Sequence, residues 1–438
     1  MGVLDAVMIP AKTVDSETGL LVDDEGSWTN WEPLELGAGS AIVQARAGYR
    51  YRVARYVAEY DESLAHEYCY DAESNWTTFA SCTEPGEWLE GETSFTEDCF
   101  VRITVQRADG FLAVRPYRLD EMVELDYVPP AIPPQPEWAR IEAERVAARV
   151  DELREPGDLV LVALADIHYS TGCIWPQTAR NVRAVVDLVQ PDAIVQLGDV
   201  GDGITPLPVT RSFATRVLGD LRSCGVPVLS CVGNHDVNYF RGNAERLSKD
   251  ECARLYLERE KPWYFEDFPA SRIRCVFLDS FDPVRKQRYG FDGREVWWLR
   301  KVLRSTPRDW KVLVFSHVPP LPEIHYWSDA IENGPRVMRA LESHNRRYPQ
   351  SMLAFVHGHS HVDQVYWKQT FPIISIGCAK FEDFTECKPA GSTTPARQRG
   401  TASQDLWDVI VVKARESTLH FVRFGAGDDR EVASHGAH

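Results

Sequence analysis

Five apolar runs in the C-terminal two-thirds of this chain are each followed, within two residues, by Asp, His or Asn. Leu159–Ala165 is followed by Asp166-Ile-His168, and Ala193–Leu197 by Gly198-Asp199. Pro227–Val232 leads into Gly233-Asn234-His235-Asp236, Val312–Phe315 into Ser316-His317, and Met352–Val356 into His357-Gly358-His359-Ser360-His361. Runs of this length without alternation read as strands buried on both faces. Ile273–Leu278 reads the same way, and amphipathic stretches lie between most of the runs, among them Ala179–Val189, Val209–Leu221 and Arg294–Arg304. Strands alternating with helices predict a largely parallel sheet in an α/β layered domain. Ile373–Ile376, Asp408–Val412 and Leu419–Arg423 have no helices between them and predict antiparallel closure. In an open α/β sheet the C-terminal strand ends face one crevice, so residues far apart in sequence converge there.

The first third of the chain reads differently. Short alternating runs (Ala41–Ala45, Tyr49–Val57, Trp76–Ser81, Phe100–Val105 and Phe111–Val114) are separated by Gly, Asp and Ser. Period two with that punctuation predicts an all-β sandwich over residues 1–126. Residues 127–157 then hold a proline-rich linker, 127–136, and an amphipathic helix over Glu137–Arg154, with Trp138, Ile141, Val146, Val150 and Leu153 along one face. Residues 158–438 form the α/β domain.

Composition excludes several classes. A hydrophobic fraction of 44% over 438 residues is incompatible with wholesale disorder. No run of 18 apolar residues occurs and no signal-peptide pattern opens the chain, so a cytoplasmic protein without a membrane segment is expected. The net charge of −17 disfavours a nucleic-acid partner, although a nucleotide substrate stays open because metal cations could supply positive charge. The ten cysteines show no C-x-x-C pair, so most are expected to be reduced and buried.

The Asp, His and Asn set at the strand ends suits a pair of divalent cations, with a carboxylate able to bridge. The series D-x-H, G-D, G-N-H-D, H and G-H-x-H, in this order, resembles the calcineurin-like metallophosphoesterases over roughly residues 158–427. Tyr289-Gly-Phe-Asp-Gly-Arg-Glu-Val-Trp-Trp-Leu299 and Arg423-Phe-Gly-Ala-Gly-Asp428 are also similar to phrases in bacterial members. The resemblance implies a four-layer αββα sandwich holding two metals, drawn from Mn, Zn, Fe or Ni. By position, Asp166, His168 and His361 would bind the first and Asn234, His317 and His359 the second, with Asp199 bridging. His235 would contact the phosphate and protonate the leaving oxygen, and Asp236 would orient His235. Together these imply hydrolysis of a phosphate monoester or diester by attack of a metal-bridging hydroxide. His168 and Asp202 stand where the purple acid phosphatase branch has Gly and Tyr, which argues against an iron–tyrosinate centre.

The remaining polar residues near these motifs read as structural: His357, Asp202 as a turn carboxylate, Asp279, and the Gly425-Ala-Gly427 turn. Substrate contacts are expected from Tyr169, His325 and Tyr326, with Trp175 and Trp327 offering further rings, each against the alternative of packing into the core. The N-terminal part resembles β-sandwich modules of bacterial and phage surface proteins, which leaves open a glycan or protein contact and a phage- or cell-surface location. A glycan-binding or surface structural protein with a secondary phosphoesterase domain is the alternative, and a scaffold without turnover is disfavoured because every ligand position is filled.

Overall fold

The computed structural model describes residues 8–15, 20–60, 77–82, 86–110, 118–170, 172–240, 243–325, 327–367, 369–382 and 388–435. The chain divides into two units, Met1–Pro134 and Gln135–His438.

The first unit is strand-rich. Its elements are β1 (Met8–Val14), β2 (Leu21–Asn30), β3 (Leu34–Leu36), β4 (Ala41–Ala45), β5 (Tyr49–Tyr60), β6 (Thr77–Cys82), β7 (Thr93–Ser94), β8 (Cys99–Arg107), the short helix α1 (Leu119–Met122) and β9 (Val123–Asp126). One sheet has the order β1-β2-β8-β5-β6 with β3 also on β8, and the other β7-β4-β9. Alternation along β8 sends Val101, Ile103 and Val105 into one core with Ile42 of β4 and Val123 of β9. Trp28, Tyr51 and Phe95 fill the same core. The expected strand Phe111–Val114 lies outside the described residues. The proline-rich segment begins tied down, since the Val128 carbonyl accepts from the Gly37 amide at 2.8 Å and the Ala131 amide donates to Asp98 at 3.0 Å.

The second unit opens with helix α2 (Glu137–Leu153). It buries Ala139, Ala143, Val146 and Val150, whereas Ile141, expected on the apolar face, is 52% exposed. Ile141 lies two residues, about 200° of rotation, from both Ala139 and Ala143, so the small alanines set the contact face.

The strands that follow are β10 (Leu159–Leu164), β11 (Ala193–Gln196), β12 (Val228–Ser230), β13 (Tyr264–Phe268), β14 (Ile273–Leu278), β15 (Lys311–Ser316), β16 (Met352–His357), β17 (Gln364–Tyr366), β18 (Ile373–Ser375), β19 (Leu406–Lys413), β20 (Thr418–Gly425) and β21 (Arg430–Ala433). The helices are α3 (Trp175–Val189), α4 (Leu207–Arg222), α5 (Lys249–Leu257), α6 (Gly293–Ser305) and α7 (Gly334–Arg347). Two sheets form, with orders β12-β11-β10-β19-β20-β21 and β13-β14-β15-β16-β18-β17. Alternate residues of β10 define the layers. Leu159, Leu161 and Ala163 join a core shared with Cys275, Phe277, Leu313 and Phe315 of the other sheet, while Val160, Val162 and Leu164 pack with side chains of α2, α3 and α4. Val276, Val312 and Val314 face α6 and α7. The fold is therefore mixed α/β in four layers, helix–sheet–sheet–helix. The pairs β10–β11, β11–β12, β14–β15 and β15–β16 are parallel, so the motif-bearing C-terminal ends lie together within each sheet.

Arg423 on β20 is 1% exposed and pairs with Asp363 at 2.8 Å and Asp408 at 2.8 Å, with Arg430 closing the network. Removing the guanidinium leaves two buried carboxylates with one partner. Arg423→Ala is expected to lower stability by about 3 kcal/mol or more, read as a lower midpoint of urea unfolding; an unchanged midpoint would show that Arg430 alone suffices. The described cysteines Cys99, Cys173, Cys224, Cys231, Cys252, Cys275 and Cys378 are all free, and burial pushes the Cys252 thiol up to about 12.

Candidate metal centre

Asp166, His168, Asp199, His359 and His361 all have φ between +46° and +66°, five of the thirteen non-glycine residues in the left-handed region among the described residues. Each sits just past the end of a strand, where the chain turns sharply and the side chain is aimed back over the sheet edge. Such conformations cost of order 1 kcal/mol or more apiece and persist where surrounding contacts enforce them. Those contacts are present. The His168 amide donates to the Asp199 carbonyl at 3.0 Å, the Asp166 amide to the Gly198 carbonyl at 3.1 Å, and the His359 amide to Asp166 Oδ2 at 2.9 Å. Gly198 (φ +98°) lets the loops approach, because a Cβ there would stand 2.7 Å from both the Gly233 nitrogen and His317 Nδ1.

The side chains form overlapping groups. Ligand atoms of Asp166, His168 and His361 lie within 4.8 Å of one another, as do those of Asp199, His317 and His359. In the first group His168 Nε2 and His361 Nε2 are 3.2 Å apart and His361 Nε2 is 3.3 Å from Asp166 Oδ1. In the second, His317 Nε2 is 2.9 Å from Asn234 Oδ1, 3.1 Å from Asp199 Oδ2 and 3.2 Å from His359 Nδ1. Asp199 Oδ2 also stands 3.8 Å from His168 Nε2, so one carboxylate oxygen faces both groups. Burial alone would push the Asp199 carboxyl up, but the imidazoles of His317, His235 and His168 outweigh it and hold the group well below its ordinary value. Burial likewise opposes a proton on His317, and Asp199 overrides it, raising the imidazole to about 9. Buried imidazole nitrogens and carboxylate oxygens converging at these distances are a donor set that fits a pair of divalent ions.

His235 lies at the edge of this group, its Nε2 3.9 Å from Asp199 Oδ2. Its Nδ1 is 2.5 Å from the Asp202 carbonyl, which can only accept, so Nδ1 carries the proton and Nε2 faces the centre. Burial pushes the imidazole down to about 4. The Phe240 ring stacks on it with centroids 4.3 Å apart.

Some of the remaining candidates keep their expected place and others do not. Asp236 does not orient the His235 ring; its carboxylate accepts the amides of Gly233 (2.7 Å), Val200 (2.8 Å) and Asp199 (3.0 Å), which locks two motif loops together. Asp202 is more than a turn residue, since its Oδ1 lies 2.8 Å from His168 Nδ1. Tyr169 points away from the centre, into the core beside Phe213, and its hydroxyl accepts from Arg216 at 2.8 Å. Trp175 is also in that core, donating to Asp220 at 2.9 Å. His325 does reach the centre, but by touching His359 (Nε2 to Nε2, 2.9 Å) and stacking on its ring. Trp327 and Tyr289 lie edge-on or tilted against His359 at 4.9 and 5.4 Å. Tyr326 lies outside the described residues. His357 turns its Nδ1 to the Gly358 carbonyl at 2.9 Å, and Asp279 pairs with Lys249 at 2.6 Å. Glu382 had no sequence signal, yet its Oε1 is 2.9 Å from His361 Nδ1.

The sequence model of the calcineurin-like phosphoesterase family matches residues 159–363, so the chain carries a calcineurin-like phosphoesterase domain. Among solved structures, a dimetal phosphatase from Danio rerio is similar at 19% identity and a TM-score of 0.45, covering 64% of this chain and 100% of that one. A purple acid phosphatase from yellow lupin seeds is similar at 12% identity and a TM-score of 0.42, covering 94% and 76%. No curated protein matches the chain. Among the described residues no helix is long and apolar enough to cross a membrane.

Proposed function

We propose that this chain hydrolyses phosphate esters of small molecules at a dinuclear metal centre. The observation that carries this reading is Asp199 Oδ2, a buried carboxylate oxygen facing the His168 group at 3.8 Å and the His317 group at 3.1 Å. Asp166, His168 and His361 would hold one ion, Asn234, His317 and His359 the other, and Asp199 both. Two such ions would neutralise phosphoryl oxygens and activate water as a nucleophile at neutral pH. The chain's own work is positioning. Asp236 ties the Asp199 and Gly233 loops through three amides, Asp199 Oδ1 accepts the His235 amide at 2.8 Å, and Phe240 holds the His235 ring. His235 Nε2, fixed by the carbonyl on its other nitrogen, is placed to hold a phosphoryl or leaving-group oxygen. Trp327 and Tyr289 would wall the substrate beside His359.

The test is metal analysis of the purified full chain, followed by assay against a panel of phosphate mono- and diesters. Two divalent ions per chain with turnover of at least one class supports the reading. A chain that binds no divalent ion overturns it.

The second unit holds every proposed ligand. A chain beginning at Gln135 keeps α2 with its contacts to α3 and β20, and its kcat/KM on a small diester is expected to stay within about tenfold of the full chain, a difference of about 1.4 kcal/mol. A larger loss in a folded, metal-loaded protein would mean that the first unit helps to build the site.

A further inference from the structure

The imidazoles of the centre are backed unequally. His168 Nδ1 faces Asp202 Oδ1 at 2.8 Å and His361 Nδ1 faces Glu382 Oε1 at 2.9 Å, and both carboxylates are buried. His317 Nδ1 has the Leu197 carbonyl at 2.8 Å and the Asp166 carboxylate no nearer than 4.0 Å, and the outer nitrogen of His359 faces another imidazole, His325 Nε2, at 2.9 Å. Each imidazole of the first group has a carboxylate oxygen within hydrogen-bond distance behind it, whereas those of the second group have a carbonyl and an imidazole at that distance. Each of the two carboxylates also has an ammonium 3.8 Å away, Lys380 beside Asp202 and Lys388 beside Glu382. These cations are farther off than the imidazoles, so the short hydrogen bond of each carboxylate is to the histidine.

Resting on the dinuclear reading, we infer that Asp202 and Glu382 are positioning residues of the first ion: they hold His168 and His361 with the proton on Nδ1 and the lone pair on Nε2, and they make that site the tighter of the two. A carboxylate accepting from Nδ1–H fixes the tautomer and raises the basicity of Nε2, and losing such a partner costs roughly 10–100-fold in metal affinity. The two Nε2 atoms it would present are the ones found 3.2 Å apart. A carbonyl and an imidazole give the second site no comparable support, so the ions load in order, His168 and His361 first.

Manganese(II) titration of the metal-free full chain, followed by electron paramagnetic resonance and calorimetry, is expected to show two separated steps. Asp202→Asn and Glu382→Gln, checked for folding by thermal melting, are each expected to weaken the first step by roughly 10–100-fold and leave the second within about threefold. Asp202→Ala and Glu382→Ala should weaken it further, because Asn and Gln still accept from Nδ1–H. Should the variants not fold, the native chain with one equivalent of cobalt(II) is expected to show two hyperfine-shifted, solvent-exchangeable N–H signals from His168 and His361. Two ions loading in the parent, with an unchanged first step in folded Asn and Gln variants, overturns the inference; so does a cobalt spectrum lacking the two signals. A parent that binds no ion overturns the dinuclear reading instead.

Discussion

Asp199→Ala is expected to abolish turnover on every phosphoester and to remove at least one of the two ions. The Asp199 carboxylate is 2% exposed, and its Oδ2 faces the ring nitrogens Nε2 of both His317, at 3.1 Å, and His168, at 3.8 Å. Its Oδ1 accepts the His235 amide, so the substitution also releases the residue placed to hold the phosphate. A carboxylate bridge both neutralises and spaces the ions, and no neighbour can replace it: Asp236 is committed to three amides and Asp166 faces His361 and the His359 amide. The measurement is metal content beside kcat/KM. Two retained ions with normal activity would remove Asp199 from the centre.

His235→Ala has the next largest expected effect, and it should separate chemistry from metal binding. The variant is expected to keep both ions, because His235 Nε2 stands 3.9 Å from Asp199 and is spare to the two ligand sets. Hydrolysis should slow by about 10²–10⁴-fold if the ring delivers a proton to the leaving oxygen. That loss should shrink for good leaving groups, which need little protonation. Burial holds the ring neutral at pH 7 in the free protein, down at about 4, so a proton-donating role requires the substrate dianion to raise it. An equal loss across leaving groups would show that His235 binds phosphate and donates no proton.

Much of the proposed centre is legible in the sequence because its candidate ligands are local to strand ends. A buried strand announces itself by an unbroken apolar run, and the next residue or two are where the chain leaves the sheet; Asp166, Asp199, Asn234, His317 and His359 all occupy that place. The element boundaries followed to within a few residues for β10, β11, β14, β15 and β16. Helix α5 has its sequence signal in Ser248 and Glu251, which form a capping box rather than an apolar stripe. Helix α7 carries no clean apolar stripe, because Val337, Met338 and Leu341 share its buried side with His344 and Asn345.

The sequence by itself determined which residue types stand at which strand ends, and hence the family and the two ligand sets it implies. Only the tertiary structure decided what stands behind those residues. His168 meets Asp202 across 34 positions, His359 meets Asp166 across 193, and His317 meets the Leu197 carbonyl across 120. Whether such pairs touch depends on strand order, on register and on the left-handed turns that aim each ring, none of which a local pattern contains. The same holds for Tyr169 and Asp236. Each sits beside a motif, and each was turned by its neighbours, Arg216 for one and three backbone amides for the other, to a task that proximity in sequence did not reveal.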